Sequence, residues 1–290
     1  MKTMKKIVLC LLVALLALSC LTACGDKNTG SANSGSAAAS TDSAAMAKIK
    51  SSGELRVYTE AGFAPYEFLY NNEIVGVDME IAAAVAAELG VKLTVTDVSF
   101  DTICAGVSSG KADLGAAGIT IRPDRAETVD FSNPYTTTEQ YIVLLIDNDS
   151  IKTVEDLAGK SIGVQQGTTS DFMIEDLINN GTLAGATSTG YTAPAVAAAS
   201  LGKLDAVVTD KLTAETIVAN NTGKYQCFKL VKADGSDAAE VEAYGIAVPK
   251  NSPDLLAVVN KVLDKLLSDG TIAQWEEKYN GIAKGLEGEG

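Results

Sequence analysis

The chain has 290 residues, a net charge of −14 at pH 7 and no histidine. Phosphate backbones would repel this negative charge, which disfavours nucleic-acid binding. The lack of histidine excludes Ser-His-Asp and Cys-His catalysis and every histidine-ligated metal site. We expect neither a metal nor another cofactor.

The first 23 residues have the order of a secretory signal. Three lysines precede an apolar run at residues 7–18, and small residues follow. A transmembrane anchor is the alternative, but the run is shorter than the roughly 20 residues that span a bilayer. We therefore predict a signal peptide at residues 1–23.

A lipid attachment site is predicted directly after the signal. Residues 21–24, Leu-Thr-Ala-Cys, resemble the lipobox of bacterial lipoproteins, and Cys20 is a poorer match. Plain secretion with an unmodified cysteine is the alternative. Lipidation of Cys24 would tether the chain to the outside of the cell membrane, because each buried methylene adds about 0.8 kcal/mol. Residues 24–47 are rich in Ser, Gly and Ala and are predicted to be a flexible linker.

From residue 48 the chain is predicted to alternate strands and helices. We expect strands at 54–59, 91–95, 112–117, 141–146, 161–164 and 244–248, and another that ends at 207–208. We expect helices at 78–89, 101–109 (capped by Asp101), 171–179, 253–268 and 271–279. This alternation predicts an α/β fold whose mainly parallel sheets are flanked by helices.

A weak internal repeat indicates two similar lobes. Residues 109–114 and 201–206 share a helix end, a Gly-Lys turn and an aspartate that enters a strand. The chain would enter the second lobe near residue 140 and leave it near 243. We therefore predict a first lobe from 48–140 and 243–290, a second lobe from 141–242, and a hinge at the two crossings.

Ordered motifs across residues 48–282 resemble one known family. They are FAPYEF at 63–68, GVDMEIA at 76–82, GITIRPDRAE at 118–127, VDFSNPY at 129–135, GVQQGTT at 163–169, DAVVTD at 205–210 and DGT at 269–271. The series is similar to family 3 solute-binding proteins, the polar amino-acid receptors of ABC importers. The resemblance implies a two-lobed, type II periplasmic-binding-protein-like fold, a monomer, and a receptor that is not an enzyme.

The resemblance places a carboxylate-binding group on the first lobe. Arg125 matches the family's carboxylate-binding arginine, whose planar fork can hold both oxygens. Thr120 and the backbone N–H groups of Gly118 and Thr120 would add donors, with Ala117 beside them. Without the surrounding motif, Arg125 would be interpreted as part of a charged surface turn.

On the second lobe, the resemblance implies contacts from Gln166, Thr168 and Thr169. Thr168 and Thr169 precede a predicted helix, whose free N–H groups favour a carboxylate. Thr169 or Ser170 could also be an ordinary helix cap.

Asp210 matches the aspartate that pairs with the ligand's α-ammonium, at a strand end where α/β proteins bind ligands. The alternative is that Asp210 only caps the helix that begins at Lys211.

The resemblance also implies side-chain contacts that bear on specificity. Phe63 and Phe100 match aromatic walls around the ligand, although either could be plain core. Glu60 matches an acidic position that faces the ligand's tip and would suit a cationic side chain or a carboxamide. Ala117 and Gly118 replace serines of some receptors for cationic amino acids and are more typical of glutamine receptors. The ligand stays open between glutamine and a basic amino acid.

The predicted mechanism is hinged capture followed by delivery to an ABC permease. The alternative is an enzyme on the same scaffold, such as a dehydratase similar to cyclohexadienyl dehydratase with Glu60 as its acid. A sensory module and an adhesin are further alternatives. Cys104 and Cys227 could be free thiols or a disulfide.

Overall fold

The computed structural model describes residues 42–285. The predicted signal peptide, Cys24 and residues 24–41 of the predicted linker lie outside this range. Within it, no helix has the length and apolarity that crossing a membrane requires.

The strands of the described part are β1 (Glu54–Thr59), β2 (Gly62–Phe63), β3 (Glu67–Tyr70), β4 (Glu73–Val75), β5 (Lys92–Asp97), β6 (Leu114–Gly115), β7 (Val129–Phe131), β8 (Thr136–Thr138), β9 (Gln140–Leu145), β10 (Ser161–Gln165), β11 (Thr187–Tyr191), β12 (Ala206–Asp210), β13 (Tyr225–Lys229), β14 (Glu242–Tyr244) and β15 (Ala247–Pro249). The helices are α1 (Ala44–Ser52), α2 (Val77–Leu89), α3 (Ile103–Ser108), α4 (Pro123–Ala126), α5 (Thr169–Asn179), α6 (Pro194–Ala199), α7 (Lys211–Ala219), α8 (Pro253–Ser268) and α9 (Thr271–Ala283).

Two five-stranded sheets form the frame, which confirms the predicted α/β class. The first has the order β5-β1-β6-β15-β7, and the second has the order β11-β10-β12-β9-β13. Each sheet has one strand that runs against the others, β15 in the first and β9 in the second. Each of these reversed strands follows a segment that joins the sheets, so the chain enters both sheets in a similar way.

The two segments that join the sheets pair with each other. β8 and β14 form a two-stranded antiparallel ladder in which Thr138 is opposite Glu242. The single strand predicted at 244–248 is therefore divided into β14 and β15. Gly245 lies at the break, where its N–H donates to Ile119 and a side chain would collide with Ile121 at 2.9 Å.

Helices cover the sheets through regular apolar faces. In α8 the buried residues Leu255, Val259, Val262 and Leu266 recur at helical spacing and face the first sheet's core. Helix α1 begins at Ala44, before the predicted start of the fold at 48, because Met46 is buried and Ser43 caps the helix. The prediction that Asp101 caps a helix is wrong, since Asp101 lies inside a short 3-10 turn (Phe100–Thr102) ahead of α3.

The internal repeat has a structural basis. Asp113 donates its N–H to the carbonyl of Arg56 and accepts the N–H of Arg56 at 2.9 Å. Asp205 makes the same two contacts with Ser161, accepting its N–H at 2.8 Å. Each aspartate therefore fixes the register of two neighbouring parallel strands, β6 on β1 in the first sheet and β12 on β10 in the second.

Candidate ligand-binding site

Arg125 bridges the two halves of the frame. It lies on α4, near the first sheet, and its Nη1 donates to the carbonyl of Thr120 at 2.9 Å. Its Nη2 donates at 3.0 Å to the carbonyl of Gly167, which follows β10 of the second sheet. The guanidinium lies 5.2 Å from the centre of the Phe100 ring. Burial lowers the pKa of Arg125, but a guanidinium keeps its charge in proteins.

A cavity of about 150 Å³ lies beside this guanidinium. Its walls are Phe100, Asp101, Cys104, Ile119, Asp124, Arg125, Gly167 and Phe172. Two of the predicted ligand contacts, Phe100 and Arg125, line this cavity, and the other predicted contacts do not. Three N–H groups of Arg125 are left over after its two bonds to carbonyls, so it can still hold a carboxylate.

The N-terminus of α5 lies next to Gly167. Its cap is Thr168, whose hydroxyl accepts the N–H of Asp171 at 3.3 Å and donates to the Gln165 carbonyl at 2.7 Å. The alternative interpretation of Thr169 or Ser170 as the cap is therefore wrong. Within residues 42–285 the buried hydroxyl of Thr169 has no hydrogen-bond partner. That hydroxyl and the helix N-terminus both suit an anionic group.

Asp210 occupies the cap position before α7, yet its side chain does not cap that helix. Its Oδ1 accepts a hydrogen bond from Gln140 Nε2 at 2.6 Å, and its Oδ2 accepts one from the Tyr244 hydroxyl. Burial, and then the negative charge of Glu242, raise the pKa of Asp210 to about 7, while Arg125 acts in the opposite direction. The carboxyl group is thus aimed away from its own helix, toward the groups that join the sheets.

Glu60 meets the second sheet through Gln165. Gln165 Nε2 donates to Glu60 Oε2 at 2.9 Å and to the Thr192 carbonyl at 3.0 Å. Burial raises the pKa of Glu60 to about 7, and the hydrogen bond from Gln165 partly offsets that rise. The buried Oε1 of Gln165 has no partner in the described part of the chain. Glu60 and Gln165 therefore present hydrogen-bond acceptors side by side.

The neighbouring Gln166 is exposed, although the sequence predicted it as a ligand contact. Sequence reasoning missed Gln165, which ends β10 and so lies at the carboxyl edge of a largely parallel sheet. That edge is where α/β proteins bind ligands, and the end of the predicted strand could have indicated Gln165.

Other predicted contacts lie in or against the core of the first half. Phe63 is buried and stacks on Tyr66, with ring centres 6.1 Å apart. Ala117 is buried among apolar side chains that include Ile103. The N–H of Gly118, expected to donate to a ligand, instead donates to Asp78 Oδ2 at 2.8 Å. The side chains of Phe63 and Ala117 are apolar, and the N–H of Gly118 is already paired, so none of these groups is a free donor for a ligand.

Gln140 and Glu242 are a polar pair that sequence reasoning missed. Gln140 Nε2 donates to Glu242 Oε1 at 2.6 Å as well as to Asp210, and Thr120 Oγ1 donates to Glu242 Oε2 at 2.6 Å. Both residues stand at the predicted crossings between lobes, which is the signal that could have singled them out.

Metal binding and disulfide pairing have no support in the described residues. Residues 42–285 contain no group of three or more acidic or cysteine side chains arranged to hold a metal ion. Cys104 and Cys227 are free cysteines, and burial raises the pKa of both thiols.

Comparison with known proteins identifies the family. The family described as bacterial extracellular solute-binding proteins, family 3, matches residues 55–282. A probable histidine-binding protein of Campylobacter jejuni is 30% identical over 226 residues, which is 78% of this chain and 84% of that protein.

Two solved structures are similar to this chain along nearly their whole length. The substrate-binding protein AbpA of Streptococcus pneumoniae bound to L-arginine gives a TM-score of 0.74 at 32% identity, covering 82% of this chain and 98% of that chain. An ancestral amino-acid-binding protein, AncCDT-1, described as a precursor of cyclohexadienyl dehydratase, gives a TM-score of 0.71 at 34% identity, covering 81% and 98%. The chain is therefore a two-lobed α/β protein that belongs to family 3 of the bacterial extracellular solute-binding proteins.

Proposed function

We propose that this chain captures a free amino acid between its lobes and delivers it to an ABC permease from the outside of the membrane. Cys24 would carry the lipid anchor, and the lobes would be residues 48–140 with 243–290, and residues 141–242. The observation that carries the proposal is the position of Arg125, which is held by Thr120 on one side and reaches Gly167 on the other. A ligand carboxylate at Arg125 would lie where both lobes can contact it.

The opposite end of a zwitterion has a matching partner in Asp210. The carboxyl group of Asp210 is directed away from α7, and Arg125 attracts its charged form. An α-ammonium at Asp210 and an α-carboxylate at Arg125 would use complementary charges. Thr169, at the N-terminus of α5, would add a donor to the carboxylate, whereas the N–H and the hydroxyl of Thr168 both donate to the Gln165 carbonyl.

The ligand we propose is a basic amino acid, with arginine first. Glu60 and the free amide oxygen of Gln165 form an acceptor-rich pair that suits a guanidinium, which donates and cannot accept. A glutamine side chain would also bring a carbonyl oxygen next to these acceptors, which have no hydrogen to donate to it. The polar groups between the two sheets include three carboxyl groups, those of Glu60, Asp210 and Glu242, and one guanidinium, that of Arg125. The similarity to the arginine-bound AbpA supports the same class.

Closure would follow from the ligand's contacts with both lobes. A ligand shifts a conformational equilibrium only by its difference in affinity for the two forms. Arg125 and Thr120 lie on one side, whereas Thr169 and Asp210 lie on the other. The closed form would therefore gain every contact at once and would be the form that docks on the permease.

A thermal-shift screen of the purified protein against the common amino acids tests this proposal. A ligand at one hundred times its Kd stabilises the folded state by about 2.7 kcal/mol, so a true ligand raises the melting temperature in a dose-dependent way. We expect arginine to give the largest shift and lysine a smaller one. No shift with any amino acid would contradict the receptor function, and a shift with glutamine alone would contradict the ligand class.

A dehydratase is the second candidate, and the buried Glu60 favours it. A carboxyl group whose pKa is about 7 is partly protonated at neutral pH and could act as a general acid. AncCDT-1, which is similar to this chain, is described as a precursor of such an enzyme. Incubation with prephenate and with arogenate, followed by product analysis, separates the candidates, because a receptor leaves both compounds unchanged.

A further inference from the structure

A continuous chain of buried hydrogen bonds runs through both segments that join the lobes. Thr120, near the first sheet, donates to Glu242 on β14. Glu242 accepts from Gln140, at the start of β9, and Gln140 Oε1 accepts from Ser170 of α5 at 2.7 Å. Thr120, Glu242, Gln140 and Ser170 are all buried. Asp210 joins this chain through Gln140 and is only half-buried, so it is the member that a ligand can reach.

The single amide of Gln140 fixes two carboxyl groups. Its NH₂ donates one hydrogen to Asp210 Oδ1 and one to Glu242 Oε1, both at 2.6 Å. Its carbonyl oxygen accepts from Ser170, so a flipped amide would put oxygen against two carboxyl oxygens. The amide therefore has one favourable orientation, and that orientation sets where Asp210 points.

The two acids that share this amide repel each other when both are ionised. The groups that face Asp210 are Glu242 and Tyr244 from β14, Arg125 from α4 and Tyr66 from the segment before β3. The tyrosines are neutral near pH 7, since burial raises the pKa of both well above its usual value. Burial and the negative charge of Glu242 raise the pKa of Asp210 to about 7, so the Asp210 carboxyl group retains a proton in part of the molecules near neutral pH.

We propose that Gln140 and Glu242 are positioning residues for the ammonium anchor, and that Asp210 holds a proton near neutral pH that a bound α-ammonium displaces into the solvent. This inference rests on the proposed function, because it needs an amino acid whose ammonium reaches Asp210. The ammonium stabilises the ionised form of Asp210, so the proton leaves to the buffer as the ligand enters. Capture is then coupled to pH through residues that join the lobes.

Isothermal titration calorimetry with arginine, in phosphate and in Tris across pH 5.5–8.5, measures the protons released on binding. The wild-type protein is expected to release a fraction of a proton near pH 7 and none near pH 8.5. Its Kd should rise as the pH falls below about 7, by at most tenfold per pH unit. A Kd and a proton count that do not change with pH would overturn the inference.

The variant Glu242→Gln removes the charge that Asp210 faces and keeps the shape of the side chain. Its amide oxygen can accept from Gln140, and its NH₂ can donate to the Thr120 hydroxyl. We expect proton release to shift at least one pH unit lower and to fall at pH 7. The matched control is Glu240→Gln, an exposed site two residues away that should behave as wild type.

The outcomes separate this inference from the proposed function. Binding with equal proton release in Glu242→Gln and wild type would refute the role of Glu242 while leaving the receptor function intact. A wild-type protein that binds no amino acid at any pH would overturn both. If Glu242→Gln does not fold, the proton count of Glu60→Gln decides, because this variant lacks the other carboxyl group of raised pKa that faces the proposed ligand, and without a proton on Asp210 it releases none.

Discussion

Replacing Arg125 by alanine is the most direct test of the site. The guanidinium is part-buried, lies over Phe100 and bonds two backbone carbonyls that belong to different halves of the frame. Its remaining N–H groups are the proposed partners of the ligand carboxylate. Arg125→Ala therefore removes both the carboxylate partner and one of the contacts that hold the halves together.

The magnitude follows from the kind of contact that is lost. A hydrogen bond to a charged group contributes about 1.5–3 kcal/mol, and truncating one partner of a buried charge pair costs about 2–5 kcal/mol. Since 1.4 kcal/mol is tenfold in Kd, Arg125→Ala should weaken ligand binding at least about 30-fold. Arg125→Lys keeps the charge but loses the planar fork, so we expect an intermediate loss.

Calorimetric titration with arginine gives the Kd of each variant, and a thermal melt of each protein shows that it is folded. A folded Arg125→Ala protein with wild-type affinity would refute the assignment of Arg125 to the carboxylate. Equal losses in Arg125→Ala and Arg125→Lys would show that two-point contact, and not charge alone, carries the binding.

Three further predictions concern Glu60, Glu67 and the two cysteines. Glu60→Gln should weaken arginine binding at least tenfold and glutamine binding less, because it removes the charge that faces the ligand's guanidinium. Glu73→Gln, at an exposed site, is the control. Equal losses for both ligands would contradict the assignment of Glu60 to the ligand's side chain. Both carboxyl oxygens of Glu67 are buried and lack hydrogen-bond partners among residues 42–285, and burial raises its pKa well above 4.5. Above about pH 4.5 the Glu67 carboxyl group ionises in the unfolded chain but stays protonated in the folded chain, so the folded state loses stability as the pH rises. Glu67→Gln should therefore raise the melting temperature more at pH 8 than at pH 4. Equal shifts at the two pH values would refute this reasoning. Cys104 and Cys227 should both be alkylated in denaturant without reductant, and mass spectrometry of the peptides that contain them would show one adduct on each. Absence of the adduct from both peptides until reductant is added would indicate a disulfide.

The elements with strong periodic patterns could be predicted closely. The strand at 54–59 and the helix at 253–268 have the bounds that the patterns gave, and the predicted helix at 78–89 ends at Leu89, where Gly90 caps it in the left-handed conformation. Local pattern was enough there because burial of one face and the capping residue both act within a few turns. The strand at 244–248 was wrong as one piece, since its break depends on the distant residues Ile119 and Ile121.

For the site, the sequence named side chains through family motifs but could not place them. Arg125 and Asp210 were chosen because they match those motifs, and their role in binding stays a prediction. Gln166 was chosen over Gln165, although adjacent strand residues face opposite ways and only the sheet decides which one meets Glu60.

The sequence by itself determined the class of the chain, its two similar halves and the charged groups that we propose hold a zwitterion. Those properties are carried by residue type and by order along the chain. Only the tertiary structure decided which carboxyl groups share a donor: Gln140, Asp210 and Glu242 are far apart in sequence and meet where the two joining segments pair. Burial there removes the water that would otherwise screen the two acids, so their coupling is a property of the folded chain alone.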